Sequence, residues 1–498
     1  MVEPVSIYEK YFKDPKREPV LIDYCRTPIG RRNGTIVRHR GDDLIVHCYE
    51  TLIKRNDFDK SLLGDSIVSC NSQIGECALD IGRNAALASH LPVTVPGMSI
   101  NRHCASGAQA VLSAWQAIAC GVHDAVICGG IEVQNKYPIM ADSYVFDEKL
   151  GKSLMIAPNN KIPTNPQVAA KLSEYDTTLA GQINSAHVLG TYYYAKQNGI
   201  SMKDVKGEHL EKLRKELDLI SFQSHQKAIK TYDMRQPEIE PIWCPKLDEN
   251  GKPTLDKTNN PAKDESLSVL TTKDETPRPD TSLEKLASLK TIIGRKSQAF
   301  LTAGNSCPTS DGAAAQIWMT RGLAEELGLK PRATILNFAI IGTDPVIMLD
   351  GPIFSIPEAL KRANLTLDDM SFIEINEAFS PVVWASCKEL GFSWEDPRFN
   401  PYGGAIALGH PTGMTGCRLI GTNTHQLERT GKEYAISTMC VGFGILMFIS
   451  NISQNGHRND CKERESEIRK IYDIENLITS FFYFYYCFIF AFSIEISN

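Results

Sequence analysis

Apolar residues recur along the chain at two different periods. Val111, Leu112, Trp115, Ile118 and Ala119 stand at helical spacing until Gly121 ends the run, and Val93 to Ile100 ahead of them reads as extended. Ala125 to Cys128, leading to Gly129-Gly130, and Tyr434 to Thr438, leading to Cys440-Val441-Gly442, read as equivalent strands in two halves of the chain. Phe372 to Ile375 is a further apolar strand. Each half also carries a glycine-rich turn into a helix, one at Cys104 and one at His410, where the helix continues through Arg418, Leu419 and Ile420. Strand-like and helical runs alternating in this way predict an α/β protein made of two repeats that face one another. Between the halves, Val145 to Lys296 is polar and rich in Lys, Asp and Glu. Its stretch from Pro245 to Asp280, crowded with proline and charge, reads as loop.

Composition narrows the classes. With 498 residues, 42% hydrophobic and 22% charged, the chain can bury large cores and is ordinary for a soluble globular protein. A net charge of −6 without a basic run argues against nucleic acid as a partner. The 14 cysteines contain no CxxC pair and the 11 histidines are scattered, so no metal site is expected. That many unpaired cysteines suits a reducing compartment. Met1 to Pro19 mixes Glu3, Glu9 and Asp14 with lysines and lacks the apolar core of a secretory signal, and Ile496-Ser-Asn is not a peroxisomal address. Cytosol is the default expectation, with mitochondrion and peroxisome as alternatives.

Four places could carry chemistry. Cys104 stands where an extended segment turns into a helix, and the helix end favours thiolate over thiol there, while Ala105, Ser106 and Gly107 leave room for a substrate. His410, between Gly409 and Pro411, sits on a tight turn at a helix start and suits a base. Cys440-Val-Gly-Phe-Gly follows a strand, and its glycines let backbone N–H groups approach a ligand. Asn376-Glu-Ala-Phe closes the strand Phe372 to Ile375. Taken singly, these read equally well as buried cysteines, a hydrogen-bonded turn histidine and a strand-end cap.

Together, in this order and spacing, they resemble the thiolases, acyltransferases that form and break carbon–carbon bonds through thioesters. Arg26-Thr-Pro-Ile-Gly, Gly129-Gly-Ile-Glu, Arg278-Pro-Asp-Thr-Ser-Leu-Glu-Lys-Leu, Thr302-Ala-Gly-Asn-Ser, Asp311-Gly-Ala-Ala-Ala and Gly342-Thr-Asp-Pro are similar to the family as well, and the resemblance runs from about Pro19 to Gly444. It implies two similar α/β halves stacked as five layers (αβαβα) with an inserted lid. The first half is then 19–144, completed by a strand and helix near 298–319, the lid 145–297 and the second half 320–451. It also implies roles. Cys104 attacks an acyl thioester and holds the acyl group. His410 takes the thiol proton. Cys440 moves the proton of the α-carbon. A water anchored by Asn376 makes one oxyanion hole with His410, and the N–H groups of Cys104 and Gly442 make the other. Arg278, Ala303 and Cys307 fall at positions that contact coenzyme A. Acyl-CoA and CoA are then the substrates, coenzyme A is a co-substrate, and no cofactor is permanently bound.

The chain also departs from the family. Cys307, followed by Pro308, stands where serine is common, and Phe443 and Leu446 replace glycines. The insertion aligns poorly, which leaves His187 and Met202 as loose candidates for the acyl pocket. The segment 452–498 matches nothing in the family and reads as an appended, poorly structured tail. Its apolar run Phe481 to Ile494 is short beside the ~20 residues that span a bilayer, so a membrane is not expected as a partner. A homodimer or homotetramer is implied, with the first half's sheet continuing across a two-fold axis and Gln73 to Arg83 close to the partner's active site. Two alternatives are a ketoacyl-synthase-like condensing enzyme and a non-catalytic acyl-CoA-binding relative.

Overall fold

The computed structural model describes residues 14–139, 141, 144–147, 152–155, 179–250, 252–254, 265–292, 299–344, 346–442 and 445–453. The strands are β1 (Pro19–Arg26), β2 (Gly30–Arg31), β3 (Leu63–Ser69), β4 (Met98–Ile100), β5 (Ala125–Val133), β6 (Tyr144–Asp147), β7 (Lys152–Met155), β8 (Ile242–Pro245), β9 (Ser268–Thr271), β10 (Ser310–Thr320), β11 (Ala333–Gly342), β12 (Phe372–Ile375), β13 (Tyr434–Val441) and β14 (Ile445–Ser453). The helices are α1 (Gly41–Arg55), α2 (Ile81–Ala88), α3 (Ser106–Ala119), α4 (Leu179–Asn198), α5 (Glu208–Lys230), α6 (Tyr232–Arg235), α7 (Leu283–Ala287), α8 (Arg321–Glu326), α9 (Pro352–Ala363), α10 (Ser380–Leu390), α11 (Ala405–Leu408) and α12 (Thr412–Thr430).

Ten strands join in the order β12-β13-β14-β11-β1-β10-β5-β3-β4, with β2 beside β10. The two halves meet at β1 and β11 through only two residue pairs, Val20 with Thr334 and Leu21 with Ala333. Every residue of β5 and of β10 is buried, so neither alternates apolar with exposed polar positions, and the polar residues of β10, Asp311 and Gln316 among them, are buried as well. β10 lies between β1 and β5, so a strand from far along the chain sits at the centre of the first half.

Three apolar cores account for five layers. Outside the first sheet, Ile45 and Leu52 of α1 and Ile81 and Ala85 of α2 pack on Ile127, Ile131 and Ile317. In the middle, Val111, Trp115 and Ile118 of α3 and Leu419 and Ile420 of α12 fill the space between Leu21 and Val126 on one sheet and Ile335 and Met439 on the other. Outside the second sheet, Ile356 and Ala359 of α9 and Val382 and Trp384 of α10 cover Ile373, Ile375 and Ile436. The helix α3 contains no charged residue because it is enclosed on both faces. The five-layer α/β arrangement implied by the resemblance is therefore present.

The insertion is more structured than its polarity predicts. Leu189 and Tyr194 of α4 and Leu213, Leu217 and Ile220 of α5 join the outer core of the second half. Within the stretch from Pro245 to Asp280 that reads as loop, β9 pairs with β8 as a hairpin. Asp274 follows and is clamped by the buried Arg26 guanidinium through bonds of 2.7 and 3.1 Å, while Glu238 takes Arg26 Nε at 2.8 Å. Burial would raise the Asp274 carboxyl, but Arg26 beside it holds it below the usual carboxylate range. A charged segment is thus tied to β1 by ion pairs, which hydrophobic periodicity does not reveal. At the C-terminal side, β14 pairs with β13 and β11 as far as Ser453, two residues into the segment read as tail. Residues 454–498, including Phe481 to Ile494, lie outside the described residues.

Candidate active site

The Cys104 turn is built by short-range polar bonds. Strand β4 begins only at Met98, later than the extended run from Val93 suggests, ends at Ile100 as that run does, and the chain then folds back before α3 begins at Ser106. Asn101 Oδ1 accepts the His103 N–H at 2.8 Å, and Ser106 Oγ accepts the Arg102 N–H at 2.8 Å while donating to the His103 carbonyl at 2.6 Å. These bonds hold His103 at φ +47°, a left-handed conformation that costs a non-glycine residue about 1 kcal/mol. Cys104 follows, partly exposed, and the backbone N–H groups of Gly442 and of its own residue act to lower its thiol. Burial nevertheless pushes the thiol up to about 11, and the Glu132 carboxylate adds to the rise. The resting group is a thiol, contrary to the thiolate that a helix start alone suggests, because desolvation outweighs the helix end.

His410 is held from several sides. Its N–H donates to Ser310 Oγ at 2.8 Å, and its carbonyl accepts from Gln134 Nε2 at 2.8 Å. The ring Nδ1 lies 2.7 Å from Thr415 Oγ1, whose proton goes to the Pro411 carbonyl at 2.8 Å. Thr415 therefore accepts from Nδ1–H, which leaves the lone pair on Nε2. Asn376 Nδ2 donates to that Nε2 at 3.3 Å. Burial, with Arg418 second, pushes the imidazole down to about 3, so it is neutral at physiological pH.

Asn376 ends β12, with its N–H on the Thr438 carbonyl at 2.9 Å, and its Oδ1 is buried without a partner among the described residues. Asn400 braces this strand end, accepting the Ile375 N–H at 2.9 Å and donating to the Ile375 carbonyl at 3.0 Å and to Glu377 at 2.9 Å. Cys440 is not in a loop but within β13, opposite Leu446, and is fully buried. Burial raises its thiol well above the usual range, with Cys104 and then Cys307 near enough to raise it further. The Cys307 N–H donates to the Ala378 carbonyl at 3.0 Å, and its thiol is pushed up to about 12 by burial and then by Cys104. Cys307 thus belongs with the two thiols, a grouping that its place in the sequence did not suggest.

Glycines let the turns of Cys104 and His410 meet. A Cβ on Gly107 would come within 2.7 Å of the Gly413 carbonyl, and one on Gly130 within 2.0 Å of the same oxygen, so the start of α12 lies directly against α3 and β5. Gly129 and Gly130 lie inside β5 and not after it, paired with Ala315 and Ala314 of β10. Glu132, two residues on, was missed as a site residue. Its buried carboxylate accepts the Asn71 and Ser72 N–H groups at 3.0 Å, the Thr412 hydroxyl at 2.6 Å and the Gly413 N–H at 2.9 Å, binding the N-terminus of α12 to the first half. The only signal for it is the glutamate of Gly129-Gly-Ile-Glu.

The remaining candidates are more peripheral. Arg278 is exposed, with its N–H on His225 Nδ1 at 3.2 Å, and Ala303 is exposed on the turn ahead of Asn305. The His187 ring lies 4.5 Å from that of Phe300, while Met202 is exposed on a short turn. Phe443 lies outside the described residues. Every described cysteine is free. Among the described residues no cluster of His, Cys, Asp or Glu could hold a metal ion, and no helix is long and apolar enough to cross a membrane.

Residues 19–322 match the family model for the thiolase N-terminal domain, and residues 329–449 match that for the thiolase C-terminal domain. The chain belongs to the thiolase family. A β-ketoadipyl-CoA thiolase of Pseudomonas aeruginosa is 35% identical over 431 residues, covering 86% of this chain and 97% of that relative. A 3-ketoacyl-CoA thiolase of Aliivibrio fischeri is 35% identical over 429 residues, covering 85% and 96%. Among solved structures, human mitochondrial 3-ketoacyl-CoA thiolase superposes with a TM-score of 0.70 at 26% identity, covering 89% of this chain and all of that one. As a thiolase the protein is an acyltransferase enzyme, which sets aside the ketoacyl-synthase alternative.

Proposed function

We propose that this thiolase exchanges an acyl group between coenzyme A and the α-carbon of acetyl-CoA, by ping-pong through a thioester on Cys104. In the cleaving direction Cys104 attacks the 3-oxo carbon of a 3-oxoacyl-CoA while His410 Nε2 takes the thiol proton. The bond between C2 and C3 then breaks, its electron pair stays on C2 as a thioester enolate, and Cys440 protonates that carbon to release acetyl-CoA. The thiol of CoA next attacks the acyl-enzyme, its proton passing to the Cys440 thiolate, while the Cys104 sulfur leaves and takes back the proton held on His410, giving the shortened acyl-CoA and restoring all three groups. Condensation is the reverse. Two oxyanions arise, and the reading assigns one to the N–H groups of Cys104 and Gly442 and the other to His410 with a water on Asn376. The observation that carries this reading is the setting of the His410 ring, whose Nδ1 is bound to Thr415 Oγ1 at 2.7 Å so that Nε2, 3.3 Å from Asn376 Nδ2, is left as the acceptor. CoA and its esters are the only reactants it requires, with no permanently bound cofactor.

Cys440→Ala tests the division of labour. The variant is expected to form the acyl-enzyme at close to the parental rate, while exchange of the acetyl-CoA α-hydrogens with solvent falls by about 10²- to 10⁴-fold. If acylation fails as well, Cys440 has a different role. Thiolysis of acetoacetyl-CoA, a longer 3-oxoacyl-CoA and 3-oxoadipyl-CoA on one preparation reads the acyl preference, and inactivity towards all three contradicts the proposal.

The reading includes a homodimer. β4 is the terminal strand of its sheet, and Leu79 and Val93 beside it are 93% and 77% exposed, which suits a face covered by a second copy. Sedimentation at micromolar concentration is expected to give at least a dimer, and a fully active monomer rules it out.

A further inference from the structure

His410 belongs to the second half of the fold, yet its peptide groups are gripped by the first. Ser310 Oγ accepts its N–H at 2.8 Å and Gln134 Nε2 donates to its carbonyl at 2.8 Å. Gln134 Oε1 in turn accepts the Ser310 N–H at 3.1 Å, which closes a ring of hydrogen bonds through three residues. The register of β5 and β10 sets Val133 opposite Asp311, so Gln134 and Ser310 are the next pair along that ladder. The amide of Gln134 has one satisfactory orientation, since one end faces a carbonyl and the other an N–H. Gln134, Ser310 and His410 are 4%, 0% and 3% exposed, so each lost bond would strand a buried polar group.

The nucleophile is tied to the same half. Asn101 Nδ2, in the Cys104 turn, donates to the Asn71 carbonyl at 2.9 Å, and the Asn71 N–H donates to Glu132, two residues before Gln134. We infer that Gln134 and Ser310 are positioning residues that set the distance of the His410 base from Cys104. The inference rests on the proposed role of His410. The ring's own partners, Thr415 and Asn376, lie in the second half, so substitution at 134 leaves tautomer and ring orientation in place and moves the imidazole relative to the sulfur.

Gln134→Met is expected to lower kcat roughly a hundredfold with KM for the acyl-CoA unchanged, the size of effect that a misplacement near 1 Å produces. Alkylation of Cys104 by iodoacetamide is the second readout. The parent should react at neutral pH with help from His410, and Gln134→Met should keep only the component that appears as the thiol itself ionises at alkaline pH. Gln134→Glu carries a rescue. Its protonated carboxyl can make both bonds and its carboxylate cannot, so its activity relative to the parent should rise as pH falls. Ser310→Ala, which removes the acceptor of the His410 N–H together with a donor to the Pro308 carbonyl at 3.2 Å, is read the same way should Gln134→Met not accumulate. Parental kcat and a parental alkylation profile in Gln134→Met overturn the inference, as does a fall in melting temperature with kcat per folded molecule unchanged. His410→Ala separates this failure from that of the proposed function: if it alkylates like the parent at neutral pH, His410 is not the base.

Discussion

Cys104→Ala is expected to lower turnover of 3-oxoacyl-CoA by at least about 10⁴-fold and to abolish both half-reactions, since the acyl group loses its carrier. Steady-state thiolysis of acetoacetyl-CoA measures it. The site tests this assignment severely, because Cys307 and Cys440 offer replacement thiols close by. Neither is an equal substitute. Cys440 is fully buried with its thiol raised well above the usual range, and Cys307 is raised to about 12. Cys104, at about 11, is the lowest of the three and is partly exposed, with the backbone N–H groups of Gly442 and of its own residue acting to lower it. Turnover above that limit in Cys104→Ala would mean that another thiol carries the acyl group.

His410→Ala is expected to lower kcat by about 10²- to 10⁴-fold. Cys104 at about 11 and His410 at about 3 rest as thiol and imidazole, so no ion pair waits beforehand, and in the proposed mechanism the proton moves as the sulfur attacks. The same shift has a stability consequence with a definite sign. The folded imidazole stays neutral well below the ordinary value of 6.5 at which the unfolded one takes a proton, so the unfolded state binds more protons as pH falls and stability drops. Between pH 7 and pH 5 this group accounts for a loss of about 2 kcal/mol, and His410→Ala should lose correspondingly less over that interval. Urea unfolding of parent and variant at both pH values measures the difference. Equal pH dependence in the two would show that the imidazole is not held neutral.

Much of the scaffold was legible where one rule dominates. The apolar spacing from Val111 to Ala119 located α3, and Phe372 to Ile375 coincides with β12. The pairing of glycine-rich turns with helix starts located the turns at Cys104 and His410, and the family resemblance supplied the five layers. What stayed hidden depends on partners distant in the chain. Glu132 and Gln134 look like ordinary strand-end residues until β5 is set beside the start of α12. Arg26 and Asp274 are 248 positions apart, so a segment read as loop turned out to be anchored by a buried ion pair. The thiolate expected at Cys104 failed for a different reason: the helix end is visible in sequence, whereas the depth of burial that opposes it is a property of the assembled layers.

The central claim is that Cys104 carries the acyl group. Mixing the protein with an excess of acyl-CoA in the absence of free CoA, quenching, digesting and mapping peptides by mass tests it most directly. The account predicts the acyl mass on the peptide containing Cys104, stable to acid and released by hydroxylamine as a thioester should be. An adduct on the peptide of Cys440 or Cys307 with Cys104 unmodified, or acyl transfer with no adduct at all, would contradict it.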